Sequence, residues 1–193
     1  EDHNFIHLPE TLKVIDIAQQ PGTKKYWLGT LTGMAIFDRN TNTLSYAGHN
    51  AAGEIFINKM GSIPIPRNFL FDSKGRLWFE SWAGGTDLIY AYDVKKNEIL
   101  FEKYYLDILK KNYYELRSFL EQKNGTIWIS GMGVFGRYLE KEKKFQLVYN
   151  GYENEQSISY SKVNALFEDK EQNIWVATIT NGLYQFKPSS QFF

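Results

Sequence analysis

Three histidines, His3, His7 and His49, are the side chains that ordinarily titrate near neutrality in this 193-residue chain. None stands in a nucleophile-and-base pattern: the sequence has no GxSxG elbow and no HExxH. His3 and His7 have the i,i+4 spacing that grips a metal on a helix, but Phe5-Ile6-His7 with Pro9 close behind predicts extended chain instead. Gly131-Met132-Gly133-Val134-Phe135-Gly136 satisfies GxGxxG. The residues after it read as strand, however, so no helix N-terminus is there to take a pyrophosphate. Asp38-Arg39-Asn40-Thr41-Asn42 opens like a calcium loop, yet Thr43 stands at the sixth position in place of glycine and His49 at the twelfth in place of glutamate. With no cysteine in the chain, thiolate zinc sites, cysteine nucleophiles and CxxC redox pairs are excluded. The expectation is no catalytic residue, no metal and no cofactor.

Binding chemistry is what remains. Trp82 offers a flat apolar face, and Thr86 and Asp87 lie shortly after it; that mixture suits a sugar ring and its hydroxyls, and packing inside the fold is the competing reading. Arg67, Tyr105, Tyr113, Tyr114 and Arg117 are the other candidates, each of a type that serves binding hot spots and solvated loop ends alike. The chain carries 22 basic and 22 acidic residues, so no net field draws it to phosphate backbones or anionic lipid. Nucleic acid and direct membrane insertion are not expected, and no apolar run approaches the roughly 18 residues a membrane helix needs.

The elements that must position these residues come from a repeat. Trp27, Trp78, Trp128 and Trp175 lie 51, 50 and 47 residues apart. Each sits in a short β-branched or aromatic strand: Tyr26-Trp27-Leu28, Leu77-Trp78-Phe79, Ile127-Trp128-Ile129 and Ile174-Trp175-Val176. A polar turn precedes each, such as Asp72-Ser73-Lys74-Gly75 or Gln122-Lys123-Asn124-Gly125, and another strand precedes the turn. A third strand and the start of a fourth come next, as in Met34-Ala35-Ile36-Phe37 and Leu44-Ser45-Tyr46. Four antiparallel strands per roughly 50 residues predict an all-β chain of about four β-propeller blades. The repeats fall approximately at residues 8–46, 63–101, 113–149 and 161–193, one propeller segment over 1–193. Asp72, Asp93 and Asp169 occupy turn positions that call for backbone capping.

Residues 154–169, Asn173-Ile174-Trp175-Val176-Ala177-Thr178 and Asn181-Gly182-Leu183-Tyr184-Gln185-Phe186 closely resemble the two-component regulator propeller repeat. The resemblance extends over all four copies and is weakest in the second, at Phe79-Glu80-Ser81-Trp82. It implies a periplasmic, non-catalytic sensor segment of a bacterial hybrid two-component sensor histidine kinase. It also implies an oligosaccharide ligand, a kinase outside this chain, the remaining propeller blades as partners, and a second copy as homodimer. Two other classes stay open: a protein-interaction scaffold, and a propeller lyase or hydrolase.

Propeller geometry puts the second-to-third-strand turns and the inter-blade connections on one rim. There the segments Ala47 to Asn68, Lys103 to Ser118 and the turn from Trp82 to Asp87 would present Arg67, Tyr105, Tyr113, Arg117, Trp82 and Asp87. Leu106, Leu109, Tyr113 and Leu116 fall near a 3.6-residue period and predict a short helix ending before about Arg117. Phe5-Ile6-His7 reads as a fourth strand able to complete the last blade, and the chain as a piece of a longer sensor.

Overall fold

The computed structural model describes residues 7–83, 86–104, 115–148 and 163–188. They form four antiparallel sheets, and the chain divides into two compact units, residues 1–67 and 68–193.

The first unit holds β1 (Val14–Gln19), β2 (Lys25–Thr30), β3 (Gly33–Asp38), β4 (Thr43–Tyr46) and the two-residue β5 (His49–Asn50), hydrogen-bonded in that order. Both faces of this sheet are covered in part by its own chain, while β1 leaves Ile15 and Ile17 exposed. On one face Leu12, Leu28, Ala35 and Phe37 cluster with the partly buried Leu8 and Leu44. Phe56 meets the Trp27 ring edge-on at a centroid separation of 4.9 Å. Phe56 belongs to α1 (Ile55–Met60), which buries Phe56, Ile57 and Met60. The helix is locked to β3 by Met34 N–H donating to Gly61 O, an approach so close that a Cβ on Gly33 would meet that oxygen at 2.1 Å. A helix in the connection after the first blade is not evident from the sequence, because only six residues carry it and Gly53 and Gly61 bracket it. The helix expected before Arg117 falls largely on residues 105–114, outside the described residues; Glu115 already belongs to a strand.

Three more sheets complete the chain: β6 (Pro66–Phe71), β7 (Arg76–Ala83), β8 (Thr86–Asp93) and β9 (Glu98–Tyr104); β10 (Glu115–Glu121), β11 (Ile127–Met132), β12 (Val134–Leu139) and β13 (Lys144–Leu147); β14 (Val163–Glu168), β15 (Ile174–Thr178) and β16 (Leu183–Phe186). The boundary between the units falls inside β6. Each sheet runs in sequence order, as a blade does, and the all-β propeller expectation holds.

Blade-to-blade packing in the second unit obeys the strand period of two. Trp78, Ile89, Ala91 and Phe101 on one face of β6–β9 pack against Leu116, Ile127, Ile129, Val134, Tyr138 and Phe145 of β10–β13. The next layer repeats the plan: Trp128, Phe135 and Leu120 meet Val163, Ile174, Val176 and Phe186. Trp78 and Trp128 therefore face the following blade, while the residues flanking Trp128 and Trp175 in their own strands face the preceding one.

Candidate functional site

Polar capping sets the tryptophans before anything else is placed. Trp78 Nε1–H donates to Asp72 Oδ2 at 2.7 Å, Trp128 Nε1–H to Gln122 Oε1 at 2.7 Å, Trp175 Nε1–H to Asp169 Oδ2 at 2.8 Å and Trp27 Nε1–H to Gln20 Oε1 at 3.1 Å. A buried indole needs such an acceptor, and in each blade the turn before the strand supplies it. Asp72 and Asp169 also accept backbone N–H groups of their own turns, Lys74 and Arg76 in one case and Asn173 in the other. Asp93 caps Lys95 and Lys96 likewise. The capping role read from the sequence is what these aspartates perform, to which the tryptophan bond is added.

Carboxylates then tie consecutive blades together. Glu121, at the end of β10, accepts Ser73 N–H at 2.8 Å and Ser73 Oγ–H at 2.6 Å, across to the β6–β7 turn. Glu168, at the end of β14, accepts Lys123 N–H at 2.8 Å on the β10–β11 turn. Farther along the same turns, Arg76 is 4% exposed and donates to Asp72 through Nε and to Glu140 through Nη1, with its guanidinium 5.1 Å above the Trp78 ring. Burial works against the Arg76 charge, but those two carboxylates outweigh it and hold its pKa above the usual value. Glu140 loses some solvation too; hydrogen bonds from Lys74 and Arg76 prevail and keep its carboxyl below the ordinary range. This cluster is structural cement between two blades.

Binding potential lies toward the opposite ends of the strands. β7 runs five residues past its tryptophan, to Ala83, whereas β2 and β15 stop three past theirs and β11 four. Trp82 pairs with Asp87, and Ala83 with Thr86. The β7–β8 hairpin is thus up to two residues longer than its counterparts, about 7 Å of extended chain. Trp82 is half-buried in this strand extension and is not in a loop, as its surrounding glycines had implied. It lies on the same face as Trp78 and Glu80, by the alternation of the strand. Asp87 is directly opposite it in register.

Behind the hairpin sits a feature that the repeat pattern does not announce. Glu80 occupies the position two past the tryptophan, where the other blades carry Gly29, Ser130 and Ala177, and it is fully buried. Its Oε1 accepts Asn68 Nδ2–H at 2.7 Å, and Asn68 also donates to Leu116 O of the next blade at 3.3 Å. Asn68 adopts a left-handed φ of 57°, a conformation asparagine tolerates. In the neighbouring blade the equivalent contact is Ser118 with Ser130, 2.7 Å apart. The misfit of Phe79-Glu80-Ser81-Trp82 to the repeat was the available signal.

Arg117 stands at a β-bulge: the β10–β11 register slips between Leu116 and Ser118, and matching slips leave Ile15 in β1 and Asn164 in β14 without a paired residue. Bulges re-aim side chains, and here Arg117 Nη1–H reaches Asn164 Oδ1 of the next blade at 3.2 Å, with Glu115 beside Nη2 at 3.6 Å. Arg117 belongs to β10 and not to the connection before it. Arg67, fifty residues earlier, is half-buried in β6. Tyr105, Tyr113 and Tyr114 lie outside the described residues. The structure therefore brings Trp82 and Asp87 together in register, and sets Arg117 against Asn164. Among the described residues no cluster of three or more metal-ligating side chains occurs, and no helix is long and apolar enough to cross a membrane.

Residues 157–180, which include the Asp169–Trp175 pair, match the family model described as two component regulator propeller. That segment is similar to a two component regulator propeller repeat. Solved structures agree on the fold. The chain aligns over 93% of its length with 21% of the extracellular domain of a hybrid two component system from B. thetaiotaomicron, at 17% identity and a TM-score of 0.67. A second such extracellular domain from that organism is covered to 25% by 98% of this chain, at 19% identity and a TM-score of 0.63. A catalytically inactive virginiamycin B lyase from Staphylococcus aureus shares the architecture at 16% identity and a TM-score of 0.60, with 96% of this chain covering 59% of it. The chain spans about a fifth to a quarter of the length of the two extracellular domains. No curated protein matches the sequence.

Proposed function

We propose that this chain is part of an extracytoplasmic, ligand-sensing propeller of a hybrid two-component system, in the periplasm, that signals to a kinase outside it. The observation that carries this reading is the repeat at residues 157–180 together with the likeness to two hybrid two component extracellular domains. The segment itself is non-catalytic in this reading. Its partners are the remaining blades of a larger propeller and a second copy of the sensor.

The ligand we infer is an oligosaccharide, held at the β7–β8 hairpin. Trp82 supplies a flat ring for stacking on a sugar face, and Asp87, its partner in the ladder register, is the second contact in this reading. Arg67, Tyr105, Tyr113 and Arg117 are proposed as further contacts. Signalling requires the ligand to bind two arrangements of the sensor unequally. The rigid core around Trp78 and Trp128 argues that those arrangements differ between propellers and not within one. Isothermal calorimetry with a panel of oligosaccharides tests the reading: binding that weakens on Trp82→Ala is expected, and a panel that gives no heat with the complete extracellular domain overturns it.

A further inference from the structure

Two asparagines among the described residues are followed directly by glycine, Asn124 before Gly125 and Asn181 before Gly182; a third such pair, at residues 150 and 151, lies outside them. Asparagine is chemically labile, and most so in this setting, because a glycine without Cβ leaves its backbone nitrogen open to the side-chain amide carbon. Both pairs sit in turns, both asparagines are exposed, and both glycines adopt a left-handed φ of 81°. Sequence and exposure alone would give the two the same fate.

Hydrogen bonding separates them. In the β10–β11 turn Gly125 N–H donates to Gln122 O at 2.8 Å, and Asn124 Oδ1 accepts Thr126 N–H at 2.9 Å. The second bond closes an Asx turn, which must open before Asn124 Cγ can turn to the Gly125 nitrogen. In the β15–β16 turn the holding bonds fall elsewhere. Thr178 N–H and Thr178 Oγ1–H both donate to Gly182 O, at 3.0 and 2.8 Å, and Asn181 N–H donates to Thr178 Oγ1 at 3.0 Å. Among the described residues none accepts the Gly182 N–H. Asn181 Oδ1 accepts Thr180 Oγ1–H at 3.2 Å, which places a hydroxyl on the oxygen that gathers negative charge when Cγ is attacked.

We infer that Asn181 is a self-modifying site, converted to aspartate and isoaspartate at a rate that its turn sets above that of Asn124. The Gly182 nitrogen gives up its proton and attacks Asn181 Cγ; the Cγ–Nδ2 bond breaks, and Nδ2 leaves as ammonia with that proton. Water then opens the resulting succinimide. Cleavage of the new bond leaves aspartate, and cleavage of the original peptide bond leaves isoaspartate, with the backbone rerouted through the side chain. No oxidation state changes. A carboxylate replaces a neutral amide close in the chain to the exposed Ile179 and Leu183, on the turn that corresponds in the blade plan to the β7–β8 hairpin. Nothing in this chemistry depends on a ligand or on the sensor role.

To test this, the 193-residue chain is incubated at mildly alkaline pH, where the attacking nitrogen loses its proton more readily, and both sites are followed by peptide mapping with mass spectrometry. Enzymatic methylation of isoaspartate identifies the rerouted product. Each rate is divided by that of the same site in the urea-unfolded chain, which removes the effect of neighbouring residues in the sequence. The normalised rate at Asn181 is expected to exceed that at Asn124 about tenfold or more, since Asn124 must first give up two hydrogen bonds. Thr180→Val, at an exposed position, should slow Asn181 about threefold and leave Asn124 unchanged. Equal normalised rates overturn the inference, as does faster conversion at Asn124, and an Asn181 rate unchanged by Thr180→Val overturns the part given to that hydroxyl.

Discussion

Asp72 Oδ2 accepts the indole N–H of Trp78 and the Nε–H of Arg76 at once, at 2.7 and 2.5 Å, while its other oxygen caps the turn. Gln122 performs the indole part of this for Trp128 without a charge. The pair separates the value of the hydrogen bond from that of the ion pair. Gln122→Ala is expected to cost about 1–2 kcal/mol, the loss of one buried hydrogen bond. Asp72→Ala should cost about 3–5 kcal/mol, because it also leaves Arg76 partly uncompensated in the core. Urea denaturation of both variants measures the difference, and equal costs would show that Arg76 draws little from Asp72.

Glutamates at the ends of β10 and β14 hold the preceding turns. A double-mutant cycle on Glu121→Ala and Ser73→Ala is expected to give a coupling of about 1 kcal/mol, since the bonds are charge-assisted but solvent-near. A coupling indistinguishable from zero would reduce the clamp to a surface contact.

Acid should loosen the junction between the second and third blades. Glu140 keeps its charge to lower pH when folded than its ordinary value of 4.5, because the hydrogen bonds of Lys74 and Arg76 overcome its partial burial. A depressed carboxylate contributes stability that is complete above its unfolded pKa and is lost as pH falls through the folded one. The melting temperature should therefore fall more steeply below about pH 4.5 in the parent than in Glu140→Gln, with the two curves converging at low pH. Parallel curves would contradict it.

Gly131 sits against the β10 bulge so closely that a Cβ would meet Glu115 O at 1.9 Å. Backbone, not a movable side chain, is the obstacle. Gly131→Ala is expected to destabilise by about 3 kcal/mol or more, whereas Gly125→Ala, with open space around it but a φ of 81°, should cost only about 1 kcal/mol from left-handed strain. Thermal unfolding of the two variants decides the order.

Trp82→Ala should leave the melting temperature nearly unchanged relative to Trp78→Ala, because Trp82 is half-buried near a hairpin end and Trp78 is fully buried between blades. Trp78→Ala is expected to cost about 3–5 kcal/mol. A large loss on Trp82→Ala would mark it as packing and remove the main support for a sugar site at that hairpin.

Much of the blade plan is legible because a strand buried on one face and capped by a turn has a short sequence description: an aromatic, its β-branched neighbours, and Asp or Gln six residues before Trp78, Trp128 and Trp175. The site is less legible. Arg117 and Trp82 read as loop residues, yet ladder pairing continues to Glu115 and Ala83, since a strand end is set by its partner's length and not by its own composition. Helix α1 escapes for the same reason: six residues carry little intrinsic helicity, and its burial of Phe56 and Met60 supplies what propensity does not.

By itself the sequence determined the fold class, the repeat and the faces of each strand, since a period of two and a spacing near fifty are local and survive any arrangement of the blades. Only the tertiary structure decided which polar groups meet: the Asn68–Glu80 bond, the reach of Arg117 to Asn164, the glutamate clamps and the exposed Phe167 and Leu183. Apart from the Asn68–Glu80 bond, which links strands of one sheet, those contacts join residues 45 to 48 positions apart or compare equivalent residues in different surroundings. Their existence depends on how one sheet packs on the next, which no spacing along the chain encodes.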